Sequence, residues 1–385
     1  MSGTERGKSV NLAGATAGPI PDRGAAVVVG ASLAGLALSI SLARSGLAVT
    51  VIERATEERN GGTGLRLWGG RGESVQRRDN SGTRVPTIAS IASAGLPGPE
   101  SWATVRRRLA DAAAQEPGIV IRYETEVALI GQDADSAWAI DTTGSVYSAD
   151  ILIGADGHRS MVRSGVDPGH PDATYAGYVI WTGKAPYAVA PGWQKGHNHM
   201  RMITLPNGDG EMIVGETRTN DEPRRYFWQW YDATSNDYLR EAGALVGSVP
   251  QYSLVNEKIA ASKYADIQRR AAHWPAPWDD VVRHSVGQQR VIATPIAEYV
   301  PRRLTRGRIA IIGDAAHVPS PMTGAGFDTG LGDAETLGEL TSHGVIGEQG
   351  RKVLKAYEKQ RLGTAQRMVR SGQGFGERLL GSTKK

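Results

Sequence analysis

The segment Gly30-Ala31-Ser32-Leu33-Ala34-Gly35 stands between a short apolar run and a stretch with helical periodicity. Glycine in the first position allows a tight strand-to-helix turn, and glycine in the last lets helix and strand pack closely. The first N–H groups of such a helix, with its dipole, form a binding site for the pyrophosphate of a dinucleotide. Ser32 occupies the slot where the usual fingerprint has its second glycine, a short side chain that still permits close approach. Glu53 lies roughly 20 residues on, at the end of the next apolar run, where a carboxylate can bond a ribose hydroxyl. The loop by itself does not distinguish one dinucleotide from another, and a plain βαβ turn is the alternative reading.

Two later acids sit in the same kind of position. Asp156 follows Ile151-Leu152-Ile153-Gly154 within ILIGADGHRSMVR, and Asp314 follows Ile311-Ile312-Gly313 within RIAIIGDAAHVPSPMTGAGFDTGLGDAETL. His197-Asn198-His199 offers two imidazoles on one face of a strand, but no third ligand lies nearby and no metal site is expected. The chain has no cysteine, which excludes disulfides, thiolate metal sites and a cysteine nucleophile. G-x-S-x-G is absent too, and no serine nucleophile is argued by spacing.

The elements that must hold these residues follow from pattern. Residues 1–24 are small, polar and unpatterned, and are read as a flexible tail. Ala25 to Val29 and Leu47 to Ile52 read as buried strands flanking a helix, a βαβ unit that opens a parallel layer. A polar, glycine-rich insertion near 60–100 precedes a helix over 102–114 and short strands at 119–121, 127–130 and 138–140. From about 170 to 290 the text turns aromatic and alternating (YAGYVIWTG, HMRMITL, YFWQWYD), as in an antiparallel sheet. The division expected is therefore a dinucleotide-binding domain over 25–165, a β-sheet substrate domain over 166–290, a return over 291–345 and a helical segment over 346–385. With 385 residues, the chain is long enough for two such cores.

Charge narrows the partners. Lys and Arg number 44 against 40 Asp and Glu, a net +4 without a concentrated basic patch, so no nucleic acid is expected. No apolar run reaches the roughly 20 residues of a membrane helix, and no signal peptide is read at the start. A cytoplasmic monomer or homodimer is the expectation.

Taken together, the three motifs resemble the class A FAD-dependent aromatic monooxygenases, those with the para-hydroxybenzoate hydroxylase fold. That family shares an N-terminal dinucleotide loop, a central motif D-G-x-x-S-x-V-R and a late G-D-A-A-H-x-x-x-P-x-x-G-x-G, and all three occur here in order. Thr174-Tyr175-Ala176-Gly177-Tyr178 with Trp181, and Phe227-Trp228-Gln229-Trp230-Tyr231, resemble the 2,6-dihydroxypyridine 3-hydroxylase group in particular. The resemblance implies an α/β fold: a Rossmann-like FAD-binding domain with a parallel sheet, a mostly antiparallel substrate domain and C-terminal helices.

It also implies the chemistry. NADPH or NADH reduces FAD, O₂ adds to the flavin at C4a, and the hydroperoxide hydroxylates a small electron-rich aromatic or enolic substrate. The cofactor carries this chemistry, which explains why no loud catalytic side chain is visible. FAD is expected on Gly30, Ser32, Leu33, Ala34, Gly35, Glu53 and Arg54, with Asp314 on the ribityl chain and Gly324, Ala325 and Gly326 at the pyrimidine edge. Asp156 belongs to the family's FAD- and nicotinamide-linked motif, which Arg163 is expected to orient by a salt bridge. Pro321 is expected near the carbon that takes oxygen, and His317 is expected to be structural. Many members hold FAD with a helix arginine whose register here falls on Trp102; Arg106 or Arg107 is the substitute.

Tyr178, His199, Arg201 and Trp228 are the candidate substrate contacts, although strand alternation turns some of them away. A flavin-dependent halogenase shares the dinucleotide loop, but its W-x-W-x-I-P is not met at Trp228-Gln229-Trp230. A flavin-binding carrier or regulator is the remaining rival.

Overall fold

The computed structural model describes residues 22–57, 64–65, 76–78, 82, 84–93, 100–191, 200–217 and 224–382. β1 (Ala25–Val29), α1 (Leu33–Arg44) and β2 (Ala48–Ile52) form the opening βαβ unit. α2 (Trp102–Ala114) leads into β3 (Ile119–Arg122). β4 (Val127–Gln132), β5 (Ala137–Asp141) and β6 (Val146–Ala149) make an antiparallel meander, and β7 (Ile151–Gly154) and α3 (Met161–Val166) follow. Next come β8 (Thr174–Pro186), β9 (Arg201–Thr204), β10 (Glu211–Thr217), β11 (Arg225–Asp232) and β12 (Leu254–Val255). Helices α4 (Ala261–Ala271) and α5 (Trp278–Gly287) precede β13 (Val291–Glu298), β14 (Thr305–Arg306) and β15 (Ile309–Ile311). α6 (Gly326–Leu340) and α7 (Glu348–Ser382) are the last two helices.

The first sheet has the order β14-β15-β7-β1-β2-β3, parallel except for β14. β1 is central, so its Val27, Val28 and Val29 are covered on both faces and read as a continuous apolar run. α1 packs against α6 through small residues: a Cβ on Gly338 would lie 2.8 Å from the Cβ of Ser41. Gly35 is fixed more strictly, because a Cβ there would fall 1.9 Å from the Gly30 carbonyl oxygen.

The second sheet, β9-β10-β11-β8-β13-β12, is antiparallel throughout. Period-two alternation sorts its residues. Val179, Trp181, Tyr226, Trp228 and Trp230 pack into a core with Ile267, Val281 and Val282 of α4 and α5. Tyr178, Ile180 and Tyr231 lie on the other face, with Met322 and with Phe375 and Leu379 of α7.

Four details differ from the sequence expectation. Residues 22–24 belong to the fold rather than the tail, since the Arg23 carbonyl accepts from the Val345 N–H at 2.8 Å. Two amphipathic helices, α4 and α5, lie inside the stretch read as sheet, covering its tryptophan face. The boundary at 290 comes one strand early: β13 pairs with β8 in the second sheet. The basic helix near the end runs for 35 residues, well beyond the stretch its charges marked.

Candidate active site

Five parallel strands end on one cavity of about 580 Å³. Gly30 follows β1, Glu53 and Arg54 follow β2, Thr125 follows β3, Asp156 follows β7 and Asp314 follows β15, and all of them line it. Crevices beyond the carboxyl ends of parallel strands are where open α/β sheets bind ligands.

The first wall is the glycine loop. Gly30 takes φ of +104°, and a Cβ on it would meet the Ala155 carbonyl oxygen at 2.4 Å, so only glycine fits the turn. Ser32 caps α1 by position but makes no side-chain cap hydrogen bond. The N–H groups of Leu33, Ala34 and Gly35 therefore keep no side-chain acceptor and remain suited to an anion. Ala34 also packs toward Gly313, where a Cβ would approach it to 2.7 Å.

Glu53 is buried and bonded to the loop: Oε2 accepts from the Ala31 N–H at 2.7 Å and Oε1 from the Ala55 N–H at 2.8 Å. It thus shapes the loop, and each oxygen retains a lone pair for a further donor. Arg106, on α2, is 4% exposed. Its Nε donates to the Ala31 carbonyl at 3.3 Å and Nη1 to the Glu57 carbonyl at 2.9 Å, while Nη2 is buried without a partner among the described residues. Trp102, one turn earlier, lines the cavity.

Asp156 forms the second wall. Its Oδ2 accepts from the Met161 and Val162 N–H groups at 2.8 and 3.2 Å, at the start of α3, and its Oδ1 is buried without a partner among the described residues. Burial pushes the carboxyl above its usual range, against the pull of Ser160 and the backbone donors. Arg163 makes no ion pair among the described residues, which corrects the expected salt bridge. Instead its buried guanidinium donates to the carbonyls of Ala315 at 2.8 Å and of His158, Pro171 and Asp314 at 3.0 Å. It also lies 4.2 Å from the Tyr299 ring centroid. The Asp314 side chain is exposed at the cavity wall, in the turn Gly313–Ala315.

Behind that turn, His317 Nε2 lies 2.7 Å from Asp333 Oδ2, and Arg361 Nε donates to Asp333 Oδ1 at 2.8 Å. His317 and Asp333 are fully buried. Burial alone would raise Asp333, but His317 and Arg361 hold it below the usual carboxylate range. This cluster braces α6 against α7, a structural post for His317.

The last wall is the segment from Ser320 to Gly326. Pro321 is exposed, and Gly324 takes φ of +59°, the left-handed region. Ala325 stands at the cap of α6 and supplies no side-chain acceptor. Gly326 is not confined by the protein itself, since a Cβ there meets nothing but Pro319, at 3.4 Å from Cγ.

The substrate candidates separate by face. The Tyr178 hydroxyl is paired with Ser320 Oγ at 2.7 Å, beside Pro321. Trp228 is on the opposite face, buried in the tryptophan core with Nε1 donating to Ser285 at 3.1 Å. Arg201 is opposite Val214, itself opposite Trp228, so its register sets it on that same far face. These two assignments fail because strand alternation turns both residues away from Ser320 and Pro321. His199, with His197, lies outside the described residues. Thr125 and Trp102 are cavity residues that the motifs do not mark; the end-of-strand rule applied to β3 finds the first.

A family model described as an FAD binding domain matches residues 256–372. The chain is 27% identical over 381 residues to an FAD-dependent urate hydroxylase of Klebsiella pneumoniae subsp. pneumoniae, covering 89% of this chain and 87% of that protein. It is 28% identical over 343 residues to a 2,6-dihydroxypyridine 3-monooxygenase of Paenarthrobacter nicotinovorans, covering 84% and 83%. The solved 2,6-dihydroxypyridine-3-hydroxylase of Arthrobacter nicotinovorans superposes with a TM-score of 0.74 over 94% of this chain and 93% of that one, at 23% identity. Sequence motifs, strand-end cavity and relatives agree: over most of its length the chain is similar to FAD-dependent hydroxylases and monooxygenases.

Proposed function

We propose that the chain hydroxylates a small, electron-rich aromatic or enolic compound, using FAD as resident cofactor, NADPH or NADH as reductant and O₂ as oxidant. The observation that carries this reading is the cavity at five strand ends, walled by the glycine loop, Glu53, Asp156 and Asp314. Its residues fit FAD on one count: among the described residues, buried Arg106 Nη2 and Asp156 Oδ1 have no protein partner.

Bound FAD supplies activation of O₂ and transfer of one oxygen atom. The protein supplies the rest. The open N–H groups of α1 take the pyrophosphate, Arg106 adds a positive charge behind the loop, and Glu53 accepts from the adenosine ribose. Asp314 accepts from the ribityl hydroxyls. Gly324, Ala325 and the uncapped start of α6 direct N–H groups at the pyrimidine edge, favouring the negative charge of the reduced ring. The second sheet roofs the reacting centre and excludes water. A cytoplasmic location, where both reductants are supplied, is part of this proposal.

The test is the visible absorption spectrum of purified, FAD-reconstituted protein, followed by NADPH and NADH oxidation with pyridinediols, phenols and hydroxyquinones. A flavin spectrum and ligand-stimulated, oxygen-dependent oxidation support the reading. Failure to bind FAD, or oxidation indifferent to every ring compound, overturns it.

A further inference from the structure

The 35-residue helix α7 is not uniform along its length. Its first part is anchored in the first core: Leu354 and Tyr357 are fully buried there, and the Tyr357 hydroxyl donates to the Ile311 carbonyl at 3.0 Å. Arg361 adds its bond to Asp333. After Ser371 the composition changes, and glycine stands at Gly372, Gly374 and Gly376 in quick succession. Glycine inside a helix weakens it relative to alanine. Two of these glycines have a packing reason. A Cβ on Gly372 would lie 2.9 Å from Ser320 Cβ and from Thr323 Cγ2, and one on Gly376 would lie 3.4 Å from Tyr178 Cε1. Gly374 has none, since a Cβ there meets only the far end of the Arg378 side chain, at 3.8 Å.

Beyond this weak point the helix covers the second sheet on the face that carries Tyr178. The Phe375 ring stands edge-on to Tyr178 and Tyr231, with centroids 6.3 and 5.5 Å apart. Leu379 is buried in the same cluster, and Leu380 lies against Gly177, where a Cβ would meet it at 2.9 Å. Beside Phe375, the Tyr231 hydroxyl is fully buried and has no partner among the described residues. A buried hydroxyl without a partner opposes the closed arrangement, because water would satisfy it once the helix end lifts. Apolar burial of Phe375 and Leu379 therefore holds the end down against two opposing effects, the glycines and the unmet hydroxyl. Met322 belongs to the same cluster and Tyr178 is bonded to Ser320 at 2.7 Å, so the covered face adjoins the segment assigned to the flavin.

We propose that residues 375–382 form a hinged cover over this face, pivoting at Gly374 and lifting to admit the ring compound. This rests on the proposed function, and it gives that site its path of entry. Closed, the cover keeps water from the reacting centre; open, it exposes Tyr178, Ile180 and Tyr231. Such a local opening needs far less free energy than unfolding the whole chain.

The chain has no cysteine, so one introduced thiol reports on the cover without background. Tyr231→Cys places it beside Phe375. Ile180→Cys, directly opposite on the neighbouring strand and in the same cluster, serves if the first variant folds poorly. FAD-loaded protein is treated with N-ethylmaleimide, and labelling is compared with the rate of global unfolding. Labelling at least about tenfold faster than unfolding is expected. Adding Gly374→Ala, whose methyl has room, should slow it about fivefold, the worth of one glycine-to-alanine change in a helix. Phe375→Ala should accelerate it. A ring compound that stimulates reductant oxidation should protect the thiol by holding the cover closed. Hydrogen exchange on the wild-type chain separates a hinge from fraying: residues 375–382 should exchange together, and faster than 348–371. A gradient that only rises toward the C-terminal end is fraying and would overturn the proposal. So would labelling no faster than unfolding, labelling indifferent to Gly374→Ala, or a stimulating compound that gives no protection. Absence of bound flavin in wild type would instead overturn the proposed function, with the exchange and labelling results still standing.

Discussion

Arg163 Nη2 donates to the main-chain carbonyl of Asp314 at 3.0 Å, tying the loop after β7 to the loop after β15. The same guanidinium holds the carbonyls of His158, Pro171 and Ala315, so one side chain sets the spacing of the two acid-bearing walls. Arg163→Met strands these acceptors, and each buried acceptor left unmet costs about 1–3 kcal/mol. The expected result is a loss of several kcal/mol in denaturant unfolding, together with weaker FAD retention. Arg163→Lys should recover only part of it, because an ammonium cannot span the fork. Stability equal to wild type in Arg163→Met would show that the clamp is ornamental.

Asp314 and Arg106 test the cofactor assignment independently of each other. Asp314→Ala is expected to raise the FAD dissociation constant roughly 10- to 100-fold, the range of one charge-assisted hydrogen bond. Asp314→Asn, which keeps an acceptor, should lose less. Arg106→Ala should weaken FAD by roughly tenfold while leaving the fold intact, read by quenching of flavin fluorescence. Full flavin occupancy in Asp314→Ala at micromolar protein would count against the assignment.

The glycines separate steric demands of the fold from those of the ligand. Gly35→Ala places a Cβ 1.9 Å from the Gly30 oxygen and should prevent folding or abolish flavin binding. Gly326→Ala has space in the protein, so the variant should unfold at the wild-type temperature. Any loss of flavin affinity or of reduction rate in it then reports the approach of the ring itself. Wild-type flavin affinity and reduction rate in Gly326→Val would remove this loop from the flavin site.

Asp333 links stability to pH. Its folded pKa is held below the unfolded value of about 3.9, so its contribution is present above that value and lost as pH falls through the folded pKa. Asp333→Asn leaves His317 and Arg361 without their shared partner, and breaking a buried pair costs about 3–5 kcal/mol near neutrality. The gap to wild type should close toward about pH 3 in thermal unfolding. A gap independent of pH would mean that packing, not charge, is at stake.

The parallel core is legible in the sequence because β1, β7 and β15 are buried on both faces and read as unbroken apolar runs, each leading into glycine. The residues proposed to hold the cofactor are legible for the same reason: they sit where those runs stop. The substrate face is not. Trp228 and Gln229 are neighbours in sequence, yet one is core and the other lies on the opposite face of the sheet, and an aromatic stretch does not reveal which parity is inward. The helices α4 and α5 decide that by covering the even-numbered side of β11, and their packing partner is invisible to local pattern. Arg163 misleads for a related reason. A motif arginine suggests a carboxylate, whereas the fold offers it four carbonyls from distant loops.

The most direct test of monooxygenation is the isotopic composition of product formed by FAD-reconstituted protein with NADPH or NADH under ¹⁸O₂, with 2,6-dihydroxypyridine as the first probe and urate as the second. The expected result is a hydroxylated product heavier by one labelled oxygen atom, formed in step with the reductant consumed. A product carrying oxygen only from water, or reductant consumed with hydrogen peroxide as the sole oxygen product for every probe, would contradict it.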